Sequence, residues 1–225
     1  TNNDYGKGLA DVYEAAVKAH GITVTTVASH EEGKADYSSE VATLASAGGD
    51  AVAVLGYLDQ GGGMIIQGSL DAGSFDTFVL SDGMIGDSLT DRFGDALNKS
   101  FGSLPGSTGA GASTFADVAS AAGIDSSGPY TGESYDAAAL LVLAMQAGGS
   151  ADRASIQKNV MAVANGPGTK IYPGELKKAL DLLSEGKEID YEGATAVNFT
   201  EVGEAFGSFL EKEINGGKFS TKKQR

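Results

Sequence analysis

The stretch Asp50–Gly63, DAVAVLGYLDQGGG, decides the fold. Its apolar run, Ala51–Leu55, is too short for a helix and too continuous for a strand with one wet face. It reads as a strand buried on both faces of a parallel sheet. Tyr57 and Asp59 lie just past the run, and Gly61–Gly63 lead into a helical segment, Met64–Ala72. A strand, a short loop carrying an aromatic and an acid, and then a helix is how an α/β sheet presents a ligand-binding edge.

Working outward, the same unit recurs. Leu9, Val12, Tyr13, Ala16 and Val17 fall at helical spacing until Gly21 stops the helix after His20, and Ile22–Val27 is a β-branched run that reads as a strand. A loop with His30, Glu31 and Glu32 precedes a helix over Tyr37–Ala47. After the helix Met64–Ala72 comes a strand at Thr77–Leu80 and the loop Ser81–Asp87. The predicted strands start at residues 22, 51 and 77 with a helix between each pair, the spacing of a βαβ repeat with all three strands parallel. The loops following them then share one rim. TNNDYGKG, Thr1–Gly8, has the composition of a fourth such loop, and the expectation is that a strand precedes it.

Beyond Asp87 the pattern predicts a helix over Leu89–Leu97, a short strand near Ser100–Leu104, a glycine- and serine-rich loop to Ser113 and a helix over Phe115–Ala122. GIDSSGPY, Gly123–Tyr130, reads as a linker. Helices follow at Ser134–Ala147, at Ala151–Ala164 with Ser150 as its cap, and at Gly174–Ser184. The remainder alternates as strands at Ala194–Phe199, Phe206–Ile214 and Lys218–Phe219 and ends in a basic tail.

Composition narrows the chemistry. The 225 residues carry a net charge of −14, which disfavours nucleic acid as a partner. No cysteine is present, which removes disulfides, thiolate metal sites and a cysteine nucleophile. The longest apolar run, within Asp136–Ala147, is too short to span a membrane. No phosphate loop, dinucleotide fingerprint, calcium loop or nucleophile elbow is present, and His20 and His30 are the only imidazole bases, so no catalytic residue, metal or cofactor is expected. What remains is the rim, where Tyr5, Tyr57 and Asp82 bring two rings and a carboxylate to one edge. A small zwitterion needs such a set: a carboxylate for its ammonium and rings to exclude water.

Several segments in this order resemble one family. NDYGKGLADVYEAAVKAHG, DAVAVLGYLDQGGGMIIQ, the LSDGM turn and PYTGESYDAAALLVLAMQAGGSADRASI are similar to the periplasmic solute-binding proteins of ABC transporters that take up branched-chain amino acids. The resemblance implies a type I periplasmic-binding fold: an α/β, three-layer parallel-sheet lobe plus the returning helical segment of the other lobe. It assigns residues 1–128 to the second lobe without its first strand, 129–200 to the returning helices and 201–225 to strands back in the second lobe. Tyr5 and Tyr57 match family aromatics, Asp82 matches the acid that takes the ligand's ammonium, and Tyr130 matches a hinge aromatic touching the ligand side chain. Aspartate is one methylene shorter than the glutamate of leucine-binding relatives, so leucine itself is not implied. Tyr135 and Asp136 are expected to cap and pack their helix.

The implied partners are an amino acid or related small molecule and the membrane subunits of the transporter, and the implied location is the periplasm. Family members carry roughly another 120 residues in front, so the chain is expected to bind ligand weakly alone and to self-associate or dock with the missing half. A sensory receptor domain of the same fold is the alternative, and a flavodoxin-like enzyme is disfavoured for want of a phosphate loop.

Overall fold

The computed structural model describes residues 1–225. Its first half runs α1 (Asp4–Ala19), α2 (Ser38–Ala47), β1 (Val52–Val54), α3 (Gly62–Asp71), β2 (Phe78–Leu80), α4 (Asp87–Phe93), β3 (Phe101–Pro105) and α5 (Ala110–Ala121). Its second half continues with α6 (Thr131–Gly148), α7 (Arg153–Ala164), β4 (Thr169–Ile171), α8 (Leu176–Ser184), β5 (Ile189–Tyr191), β6 (Asn198–Phe199), β7 (Ala205–Phe206), β8 (Phe209–Asn215) and β9 (Lys218–Gln224). The chain forms two compact units. One holds Thr1–Leu104 with Glu211–Lys223, and the other holds Pro105–Leu210 with Gln224–Arg225. The first division falls at Leu104/Pro105, whereas the sequence reading places it near residue 128.

In the first unit the sheet order is β1-β2-β3-β8-β9. β1 and β2 are parallel with Val52 opposite Phe78 and Val54 opposite Leu80, and β2 and β3 are parallel with Val79 opposite Phe101. Val54, Phe78 and Leu80 are almost wholly buried, as the unbroken apolar runs require. Ile66, Met84, Leu89 and Leu97 complete this core from the helices and turns. α1 begins after Asn3, whose side-chain oxygen accepts from the Gly6 N–H at 2.9 Å, and ends at His20, as the periodicity predicts.

One predicted strand does not form. Ile22–Val27 has strand composition but belongs to no ladder, and Ile22 and Val27 are 58% and 59% exposed. The physical reason lies in the sheet: β1 stands at its edge, and nothing hydrogen-bonds to its outer side along Ile22–Val27. β-branched composition favours an extended conformation but cannot supply a pairing partner.

In the second unit, α6 packs on α7 and α8; α7 lies against β5, and α8 lies against both strands of the parallel pair β4–β5. Leu140, Leu143, Val163, Ile171, Ala179, Ile189 and Tyr191 form its core. β4 is a strand the sequence reading leaves as loop: Thr169–Ile171 is three residues long, too short for a periodic signal, and pairs residue by residue with Ile189–Tyr191. The predicted strand Ala194–Phe199 shrinks to Asn198–Phe199, paired antiparallel with Ala205–Phe206. α5, placed by the sequence before the linker, packs here through Phe115 and Ala119 against Ala194 and Tyr135. Ser150 is not the cap of α7. Asp152 holds that position, and the Ser150 hydroxyl accepts from the Asp152 N–H while donating to the Asp152 carboxylate.

Candidate functional site

Parallel strands deliver their following loops to one edge, and the first unit uses this to assemble Tyr5, Tyr57 and Asp82. Tyr5 sits in the first turn of α1, Tyr57 follows β1, and Asp82 opens the short 3-10 turn Asp82–Met84 after β2. The Tyr5 and Tyr57 rings stack with centroids 5.1 Å apart and planes 28° apart, and the Tyr5 hydroxyl donates to Asp82 Oδ1 at 2.5 Å. All three side chains are half-buried, so each has one face supported and one open. Three residues from separate loops, predicted to share a rim, are in direct contact.

The second and third loops are joined beneath this cluster. Ser81 is buried, and its hydroxyl accepts from the Gly56 N–H and donates to the Gly56 carbonyl, both at 3.2 Å. Gly83 lies so close that a Cβ there would fall 2.5 Å from the Gly56 oxygen and 2.8 Å from the Tyr57 ring, nearer than atoms pack. Only glycine lets the Asp82 turn slide under Tyr57. Neither Ser81 nor Gly83 carries a sequence signal of its own. Gly61–Gly63 open α3, with Gly62 and Gly63 buried, which gives the glycine run a packing role.

The two histidines have structural positions. His20 caps the exposed end of α1. His30 is 6% exposed and meets Tyr37 edge-on at 5.6 Å. Burial, reinforced by the Thr1 ammonium, lowers its pKa and favours the neutral ring. No group of three potential ligating side chains comes together to hold a metal.

Tyr130 belongs to the second unit. It precedes α6 in the left-handed region with φ of 62° and is 39% exposed. A tyrosine in that conformation is strained by about 1 kcal/mol, and such strain concentrates where a side chain is being aimed. Tyr135 packs on Phe115 with ring centroids 5.3 Å apart and accepts from the Gly174 N–H at 3.0 Å. Asp136 does not cap α6. It is buried inside the helix's second turn and binds the loop Ala194–Thr195.

The Tyr5 pKa is pushed up to about 12, first by burial and then by its hydrogen bond to Asp82. In the unfolded chain the same hydroxyl ionises at its ordinary value of 10.0. Between these values the unfolded chain binds fewer protons than the folded one, so Tyr5's contribution to stability is complete below pH 10 and declines as the pH rises through 12. Burial also pushes Tyr13 and Tyr191 upward, so alkaline titration followed by tyrosinate absorbance is expected to show several late-ionising tyrosines, of which Tyr5→Phe removes the one near pH 12. A late component of undiminished size in Tyr5→Phe would contradict the contact.

No protein-family model matches the chain. It is 33% identical over 95 residues to the chemotactic signal transduction system substrate-binding protein BasB of Halobacterium salinarum, a match covering 42% of this chain and 23% of that protein. The leucine binding protein LivK of Thermotoga maritima superposes with a TM-score of 0.74 at 20% identity, over 99% of this chain and 57% of that one. A periplasmic binding protein type 1 from Bordetella pertussis Tohama I gives 0.71 at 18% identity, over 98% and 59%. The fold is that of the type I periplasmic binding proteins. The chain spans somewhat over half the length of these solved structures and about a quarter of the curated relative. All three are named as binding proteins.

Proposed function

We propose that the protein is the substrate-binding component of an ABC importer and captures an amino acid or a closely related small molecule. The observation that carries this reading is the Tyr5–Tyr57 stack placed against the Asp82 carboxylate on the rim of a parallel sheet. An ammonium takes up a carboxylate hydrogen bond worth about 1.5–3 kcal/mol, and the adjoining rings lower the local dielectric in which it acts. The likeness to a solved leucine binding protein supports an amino acid as the ligand class. Tyr130 is proposed as a contact to the ligand's side chain, and the unit holding Thr1–Leu104 is proposed as the lobe that bears the ammonium site. The membrane subunits of the importer are the proposed partners and the periplasm the proposed location.

A second reading has one specific support. The relative from Halobacterium salinarum is named for chemotactic signalling, so the same binding step would serve a sensory receptor. Isothermal titration calorimetry of the full-length protein against a panel of amino acids tests the binding step common to both. Saturable binding to a subset that share a free α-ammonium is expected. Binding that persists after the ammonium is acetylated would overturn the assignment of Asp82.

A further inference from the structure

β2 ends at Leu80, and the backbone of Ser81 carries the ladder one step further. Its N–H donates to the Val54 carbonyl at 3.2 Å, and its carbonyl accepts from the Met84 N–H at 2.9 Å, closing the turn that presents Asp82. None of this uses the side chain. The residue is nevertheless 7% exposed, and its hydroxyl is directed at Gly56, accepting from that residue's N–H and donating to its carbonyl, both at 3.2 Å.

Gly56 is buried and lies just past β1, where the ladder has ended, so its backbone groups need partners from elsewhere. A hydroxyl is both donor and acceptor and satisfies the pair alone. The placement has a second effect. Gly56 immediately precedes Tyr57, and Ser81 immediately precedes Asp82, so one hydroxyl joins the residue before the ring to the residue before the carboxylate. The same hydroxyl faces the Tyr5 oxygen, as does the Gly83 N–H, and both pull the Tyr5 pKa down against the larger upward push of burial and Asp82. Ser81 thus reaches all three loops of the site.

Two further contacts limit how these loops can move. A Cβ at Gly83 would fall 2.5 Å from the Gly56 oxygen, so the Asp82 turn already lies at its closest approach to the loop after β1. Met84, 1% exposed, packs against Gly62, where a Cβ would lie 2.5 Å from its sulfur, and this fixes the far end of the turn. Packing stops the loops from closing further, and the Ser81 hydroxyl stops them from parting.

We infer that Ser81 is the positioning residue of the ammonium site: its hydroxyl holds the Asp82 carboxylate and the Tyr57 ring at one separation, so the site stands formed before an amino acid arrives. The inference rests on the reading of Asp82 as the ammonium's partner. Binding groups must be held to within about 0.5 Å of their productive geometry, and a loop that has to be ordered on binding subtracts its ordering cost from the affinity. Ser81 acts through the two residues it holds rather than by touching the amino acid.

The test titrates the full-length protein calorimetrically with the standard L-amino acids and carries the tightest of them through a set of variants. Ser81→Ala is expected to weaken its binding about tenfold and to lower the melting temperature of the ligand-free protein by only about 2–4 °C. Tyr191→Phe, a comparable loss of stability in the other unit, is expected to leave affinity unchanged. Ser81→Thr keeps the hydroxyl and is expected to bind within about threefold of the parent. In an Asp82→Ala background, Ser81→Ala is expected to weaken binding by less than about threefold more, because the carboxylate it positions is already gone. Full affinity in Ser81→Ala beside a large loss in Asp82→Ala overturns this inference alone. So does an undiminished effect of Ser81→Ala in the Asp82→Ala background, a threonine variant as weak as the alanine one, or an equal loss of affinity in Tyr191→Phe. Full affinity in Asp82→Ala overturns the ammonium-site reading itself, and this inference with it.

Discussion

Replacing Asp136 with alanine is expected to lower the unfolding free energy by about 3–5 kcal/mol, a third or more of the stability of an ordinary domain. The residue is 2% exposed and its carboxylate accepts four hydrogen bonds. The Tyr191 hydroxyl and the Ala194 N–H reach Oδ1 at 2.9 and 2.8 Å, and the Thr195 N–H and hydroxyl reach Oδ2 at 2.8 and 2.7 Å. The four donors replace the hydration that burial takes from the carboxylate. Its field, after burial itself, pushes the Tyr191 pKa strongly upward, so that hydroxyl stays a donor.

Alanine would leave two hydroxyls and two backbone N–H groups without their acceptor, and a buried donor left unsatisfied costs about 1–3 kcal/mol. The loop that follows β5 would lose its anchor to α6. Asp136→Asn keeps the side chain's shape and one acceptor oxygen, so it is expected to cost about half as much. Tyr191→Phe, which removes a single donor, should cost about 1 kcal/mol. Urea denaturation followed by far-ultraviolet circular dichroism reads the order Asp136→Ala, Asp136→Asn, Tyr191→Phe. An alanine variant within about 1 kcal/mol of the parent would show that water replaces the carboxylate and that the network is not what holds the loop.

The structure divides what a sequence can carry from what it cannot. Ala51–Leu55 and Thr77–Leu80 were legible as buried parallel strands because burial on both faces writes a continuous apolar run. The helices between them were legible from spacing and from glycine stops. Ile22–Val27 has the same kind of composition and forms no strand, since pairing depends on a neighbour that local sequence does not encode. β4 is the reverse case: its three residues carry no pattern, and it exists because β5 is beside it.

The site followed the same division. Topology alone brought Tyr5, Tyr57 and Asp82 to one rim, and the structure places them in contact. The joint beneath them, Ser81 on Gly56 and Gly83 under Tyr57, depends on two loops approaching within a few ångströms, which no single loop's sequence reports. The expectation that Asp136 caps as well as packs its helix fails in its first part for the same reason. The partners of Asp136 lie 55–59 residues away in sequence.

For the proposed binding site, Asp82→Ala in the full-length protein is expected to reduce amino acid affinity by about two to three orders of magnitude. Truncating one partner of a buried, hydrogen-bonded charge pair costs about 2–5 kcal/mol, much of it from the ammonium left unpaired, and each 1.4 kcal/mol is about tenfold. The same change should scarcely alter the melting temperature of the ligand-free protein. Asp82 is half-buried, and losing the hydrogen bond from Tyr5 costs the fold about 1 kcal/mol.

Affinity and stability therefore separate, and this separation distinguishes a ligand-holding carboxylate from a packing one. Tyr5→Phe sharpens the distinction. It also breaks the Tyr5–Asp82 hydrogen bond but leaves the carboxylate and the ring stack in place, so it should retain most of the affinity that Asp82→Ala destroys. Comparable losses in the two variants would mean that the Tyr5 hydroxyl is itself the ligand's partner and that Asp82 only orients it. A fall in melting temperature of the Asp82 variant as large as that of a core truncation, with affinity preserved, would make the carboxylate a structural group of the β2 turn.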